Sequence, residues 1–213
     1  MSHYSVYVFG ADPEGQLAPY DENEEVEEYE VSSRKEIIDE AKTYLERAKE
    51  TYAEYTKNPK KFFKNNTWAK AKEIKKIGNE IKKKSKWTDE QFYESWFKDN
   101  GRKKAPNGGY LSTYNPLSKW DWYEIGGRWD KSLFLKSRNL ARSNETTIDE
   151  VDWDKTQAPF AMLIDGEWIE KGQMGWFGMT ANEMSDKKWE KEVRKKIKSM
   201  DPNTKVTVVD CHI

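Results

Sequence analysis

The order of elements in the sequence predicts an α+β fold of ferredoxin-like type, β-α-β-β-α-β. In it, an antiparallel sheet carries helices on one face and a helical insertion after its first strand. Three observations lead there. Residues 3–9 and 205–213 are both runs rich in β-branched and aromatic residues, as strands are. Apolar residues at helical spacing mark helices between the extended segments. Asp165-Gly166, set between two apolar runs, is a hairpin signal.

The first strand, 3–9, stops at Gly10. The acidic stretch through Glu30 has clustered like charges and reads as an exposed loop. Ser33 with Glu36 forms a capping box, and Ile37, Ile38, Ala41, Tyr44, Leu45, Ala48 and Tyr52 follow on one helical face; Pro59 ends or breaks that helix. A second helix is expected over 68–84, with Ile74, Ile77 and Ile81 on one stripe. A third runs from the Thr88/Gln91 capping box to about Lys98. Together these make a helical insertion of about 34–98 within a single domain, 1–213. Beyond the loop 100–109, residues 121–129 look extended but are interrupted by Gly126-Gly127, the mark of a bulge or a close backbone approach. They are taken as the second strand. Residues 136–157 are polar and read as irregular. Strand 160–164 turns at Asp165-Gly166 into Glu167-Trp168-Ile169. Trp189, Val193, Ile197 and Met200 line a helix over 185–200, stopped by Asp201-Pro202-Asn203, and 205–213 is the last strand.

Composition excludes several classes. Lys+Arg 37 against Asp+Glu 38 leaves a net charge of -1, which gives no signal for nucleic acid or for an acidic membrane surface. Trp 10, Tyr 11 and Phe 8 supply an aromatic core, so the chain is not expected to be disordered. Cys211 is alone, which forbids an intrachain disulfide and suits a reducing cytoplasm. Neither a signal peptide nor a membrane span is legible, so a cytoplasmic location is expected.

Chemistry concentrates in Tyr114 to Trp129. Gly126 and Gly127 permit close backbone approach, Arg128 offers a planar fork of donors for phosphate or carboxylate, and Trp120, Trp122 and Trp129 can stack on a ring. With Tyr114 and Asn115 these residues form a candidate pocket for a flat, anionic, nucleotide-like ligand; the alternative is that the tryptophans are core and Arg128 a stacked structural side chain. No phosphate-loop motif is present.

A second candidate follows from topology. If the first and last strands are antiparallel neighbours, His3 meets His212, with Asp210 on the same face. His3, Asp210 and His212 could then hold a divalent metal or act as an acid–base pair; the alternative is a solvated strand end. His3-Tyr4-Ser5 matches only half of the H-x-[ST] pair of two-histidine phosphoesterases; the second half is absent, since His212 is followed by Ile213 alone, and that class is rejected. Cys211 faces the other way and reads as a buried small side chain. The run Tyr20-Asp21-Glu22-Asn23-Glu24-Glu25 could bind a hard cation but lacks an EF-hand pattern, and a solvated loop is the simpler reading.

Gln16-Leu17-Ala18-Pro19-Tyr20-Asp21-Glu22-Asn23, Ser112 to Trp129, Asp165-Gly166-Glu167-Trp168, 174–178 and Val208-Val209-Asp210-Cys211-His212-Ile213 resemble a family of proteins carried by bacteriophages and bacterial genomes. The resemblance spans nearly the whole chain, with the helical middle least distinctive. It implies a phage or mobile-element setting in a bacterial host, not a reaction. Two expectations follow. One is a binding protein that modulates the host or counters its defence by holding a nucleotide-like ligand or a host protein. The other is metal-assisted hydrolysis through Asp210 and His212 with His3. A third reading makes the tryptophans a protein–protein hot spot.

Overall fold

A computed structural model describes residues 2–137, 141–174 and 179–213. The chain forms two compact units, one of residues 1–26 with 114–213 and one of residues 27–113. The expected segment 174–178 lies outside the described residues from Gly175 onward.

The first unit is built on a six-stranded mixed sheet. Its strands are β1 (His3–Phe9), β2 (Trp122–Ile125), β3 (Glu145–Thr147), β4 (Ala161–Ile164), β5 (Glu167–Glu170) and β6 (Lys205–His212), in the spatial order β5-β4-β1-β6-β2, with β3 also on β6. The α+β class holds, but the ferredoxin-like order does not. β1 and β4 are parallel neighbours, Val6 opposite Ala161 and Phe9 opposite Ile164, where an antiparallel sheet was expected. The segment expected as second strand, β2, pairs with β6 rather than inside the sheet. The cause lies in the Asp165-Gly166 hairpin. Asp165 (φ 51) and Gly166 (φ 79) form the two-residue turn with both φ values positive, which sets β5 on one edge of β4; β1 holds the other, so β4 has no edge left for β2.

Helices on one face were also expected, and here too the structure differs: both faces are buried. Tyr7, Phe9, Met162, Val206 and Val208 point to one side and meet Trp189, Val193 and Ile197 of the helix Asp186–Lys198. Tyr4, Val6, Val8, Ala161, Leu163, Val209 and Cys211 point to the other and are covered by Leu17, Tyr20 and Trp120. Leu17 and Tyr20 come from a short helix, Pro13–Leu17, and the turn after it, a segment the charge run hid. Asp12 caps that helix and Pro13 opens it. Two-sided burial explains why six consecutive residues of β1, Tyr4 to Phe9, are all inaccessible: this is the pattern of a central strand, not of a half-solvated one.

β6 is paired along one edge by two short strands in succession, Thr207 to Lys205 by β3 and Val209 to His212 by β2. Between them Gly126 donates its N–H to the Val208 carbonyl (2.9 Å) and Val208 donates to the Asn144 carbonyl (2.8 Å). The chain therefore leaves the sheet edge at Gly126 and returns to it at Asn144. The polar residues of β3 fit an edge strand, and their polarity is why 136–157 reads as irregular.

The second unit is mainly helical: Arg34–Lys57, Pro59–Asn65, Ala71–Lys84 and Asp89–Asn100, with a small three-stranded sheet of Tyr29–Glu30, Tyr110–Ser112 and Lys103–Lys104. Both expected capping boxes form, Ser33 with Glu36 and Thr88 with Gln91. Asn58 ends the first of these helices and caps the next, its Oδ1 accepting the Lys61 N–H at 3.0 Å. Ile37, Ile38, Tyr93 and Phe97 form the unit's core.

Candidate functional site

The sheet face that packs on the helix Asp186–Lys198 changes character along its length. Reading across β1 and β6, Tyr7 stands opposite Val208, Ser5 opposite Asp210 and His3 opposite His212. Each step is two residues, because strand side chains alternate. The apolar pairs lie under the helix. The pairs beyond are polar, and β2 adds Glu124 opposite Asp210 and Trp122 opposite His212. Strand pairing alone thus gathers two histidines, two carboxylates and a tryptophan at one end of one face.

The histidines meet as the pairing of first and last strands implied. Their ring centroids are 4.9 Å apart at an interplanar angle of 71°, and Trp122 stands edge-on to both, at 6.1 Å from His3 and 6.5 Å from His212. Each imidazole is anchored separately. His3 Nδ1 lies 2.9 Å from Asp210 Oδ1, and His212 Nδ1 lies 2.6 Å from Asp121 Oδ1. An Nδ1–H donated to a carboxylate fixes both tautomer and ring orientation and turns Nε2 into the free lone pair. Neither Nε2 is hydrogen-bonded to a described residue. The two carboxylates differ in setting: the Asp210 side chain is 2% exposed and that of Asp121 39%.

Asp210 explains the double glycine. Its Oδ2 accepts the backbone N–H of Arg128 at 2.9 Å. To bring that N–H so close, the chain passes directly over the carboxylate: a Cβ on Gly127 would lie 2.4 Å from the Asp210 Cβ and 2.5 Å from Oδ2. Gly127 also has φ 50, in the left-handed region. At Gly126 a Cβ would meet the Asn144 amide at 2.5 Å. Close backbone approach, expected of the double glycine, is present; the group approached is the protein's own carboxylate. A buried carboxylate needs such donors, since burial without them is costly.

The remaining candidates of 114–129 separate into exposed and structural positions. Arg128 is exposed, and its guanidinium makes no hydrogen bond or ion pair with a described residue. Trp122 is 49% exposed and Tyr114 48%; the Tyr114 hydroxyl accepts from Ser118 Oγ at 2.7 Å. Trp129 packs against the core under the helix Asp186–Lys198. Trp120 is buried on the opposite face, donating Nε1–H to the Leu17 carbonyl at 3.2 Å. Asn115 is buried too: Nδ2 donates to the carbonyls of Pro19 (2.8 Å) and Asp21 (3.0 Å), and Oδ1 accepts the Leu117 N–H (3.0 Å). Trp120 and Asn115 therefore hold the loop 17–21 against the sheet. That loop includes part of the acidic run, where Tyr20 is core and donates its hydroxyl to the Gly166 carbonyl at 2.7 Å. Asp21 Oδ1 accepts from the Asn23 backbone and side chain at 2.8 and 2.9 Å.

Among the described residues no group of three or more histidine, cysteine, aspartate and glutamate side chains is placed to hold a metal ion. Cys211 is fully buried on the far face, and burial pushes its thiol well above the ordinary range. Asp121 is the site residue that sequence reasoning missed. The signal for it was its place immediately before β2, but it becomes a partner of His212 only once β2 is put beside β6.

No helix among the described residues is long and apolar enough to cross a membrane. Comparison with family models, with curated proteins and with solved structures finds no match.

Proposed function

We propose that the His3/His212 end of the sheet binds a small anionic ligand with a flat ring, of nucleotide type. The observation that carries this reading is Arg128. Its backbone N–H is held by buried Asp210, the same carboxylate that holds His3, while its side chain is exposed and its guanidinium makes no hydrogen bond or ion pair with a described residue. A planar cation suits a phosphate, the free Nε2 atoms supply further polar contacts, and Trp122 offers a face for a base. In the phage or mobile-element setting implied by the motif resemblance, the ligand is a nucleotide of the bacterial host's cytoplasm, and holding it is a way of modulating that host.

The test is a thermal-shift and tryptophan-fluorescence screen of nucleotides, cyclic ones included, at low salt, with Arg128→Ala as comparator. The reading predicts saturable binding that Arg128→Ala abolishes, with an unchanged melting temperature of the free protein. Absence of any saturable response across the panel, or equal binding by Arg128→Ala, overturns it.

A further inference from the structure

Resting on that binding reading, we propose that the two histidine–aspartate pairs are an acid–base device and that the site hydrolyses a phosphodiester of nucleotide type. Binding alone asks for donors around an anion and does not require a carboxylate behind each imidazole. Here each ring has its own: Asp210 behind His3 at 2.9 Å and Asp121 behind His212 at 2.6 Å. A carboxylate on Nδ1 holds the ring in the tautomer that leaves Nε2 able to take a proton, and stabilises the imidazolium once it has done so. Two such rings stand 4.9 Å apart. In this proposal the two rings serve the two sides of one phosphorus centre, and Arg128 supplies charge for the oxygens that become more negative in the transition state.

The step balances without a metal or an external oxidant. His212, whose partner Asp121 is the more solvent-open carboxylate, takes a proton on Nε2 from water as the water oxygen bonds to phosphorus. His3, protonated and held on Asp210, gives its Nε2 proton to the leaving alkoxide as the old P–O bond breaks. The products are a phosphomonoester and an alcohol. Exchange with solvent then returns one proton to His3 and removes one from His212, so the net change is one water consumed. Trp122, edge-on to both rings and half-exposed, is the surface on which the ring of the substrate would stack.

The experiment measures turnover of bis(p-nitrophenyl) phosphate and of a 3′,5′-cyclic nucleotide by the full chain in excess EDTA. Binding of the corresponding cyclic phosphorothioate is measured in parallel. The variants are His3→Gln, His212→Gln, Asp121→Asn and Arg128→Ala, each checked for an unchanged melting temperature. Asp121→Asn, at a partly exposed position, is the safeguard should either histidine variant fold poorly. Expected are metal-independent turnover and a fall in kcat of roughly 100-fold or more in each histidine variant, the size of a general acid or base contribution. Phosphorothioate binding is expected to stay within a few-fold in the histidine variants and to be lost in Arg128→Ala, and Asp121→Asn is expected to lower kcat with KM little changed. Binding without turnover overturns the hydrolytic inference and leaves the binding reading intact; loss of both overturns both. Turnover that EDTA abolishes, or histidine variants that keep wild-type kcat, also overturns it.

Discussion

Replacing Gly127 by alanine tests how the site is assembled. Two costs are built into the position. At φ 50 an L-residue pays about 1–2 kcal/mol for the left-handed region. The new methyl would lie 2.4 Å from the Asp210 Cβ, so the backbone or the carboxylate must shift, which adds about 1–3 kcal/mol for insertion into a packed place. Together the expected loss is roughly 2–5 kcal/mol. Gly166 provides the control: its φ is 79, but a Cβ there meets nothing within 4 Å, so Gly166→Ala carries the conformational cost alone. Urea denaturation followed by tryptophan fluorescence measures both variants. Gly127→Ala is expected to lose about 1–3 kcal/mol more than Gly166→Ala, the steric part of the sum. Equal losses would refute the argument that the double glycine exists to bring the Arg128 N–H onto Asp210.

Three further outcomes are expected. Asn115→Ala removes three hydrogen bonds and strands two carbonyls and an N–H, so it is expected to cost about 2–4 kcal/mol in urea denaturation while leaving the exposed Trp122 and Arg128 in place; a loss under about 1 kcal/mol contradicts its role as the loop's anchor. Cys211, buried with its thiol pushed upward by desolvation, is expected to resist a thiol reagent in the native protein and to react stoichiometrically in denaturant; prompt native labelling contradicts the packing of that face. Tyr4 is raised above its ordinary 10.0 first by burial and then by the nearby Cys211, Glu170 and Asp121. Its contribution is therefore full below about pH 10 and is lost as pH rises further, at about 1.4 kcal/mol per pH unit, because the unfolded chain then sheds a proton the folded chain keeps. Tyr4→Phe is expected to flatten the alkaline limb of the stability profile, and an unchanged limb contradicts it.

How far the sequence could be read depends on whether a feature is set locally. The capping boxes at Ser33 and Thr88 and the turn at Asp165-Gly166 are each written in a few adjacent residues, and all form. Sheet order is not local: nothing near Phe160 states that β4 lies parallel to β1, and nothing near Asp121 states that β2 lies beside β6. The meeting of His3 and His212 was nevertheless legible. It needs only the first and last strands to be antiparallel neighbours, a feature common to the expected order and the observed one. Asp121 was not legible, because its role depends on the part of the order that differs. The tryptophans were ambiguous for a similar reason. Trp120 and Trp122 have the same parity, but Trp120 precedes the strand and turns into the opposite face, so alternation does not govern it.

Each imidazole is held through Nδ1 by its own aspartate, and neither Nε2 is hydrogen-bonded to a described residue. Long-range ¹H–¹⁵N correlation NMR of His3 and His212 in the neutral form tests it directly. The structure predicts the Nδ1–H tautomer for both rings, with the signature transferring to the ordinary Nε2–H form for His3 in Asp210→Asn and for His212 in Asp121→Asn. Two Nε2–H imidazoles in the wild-type protein would contradict it.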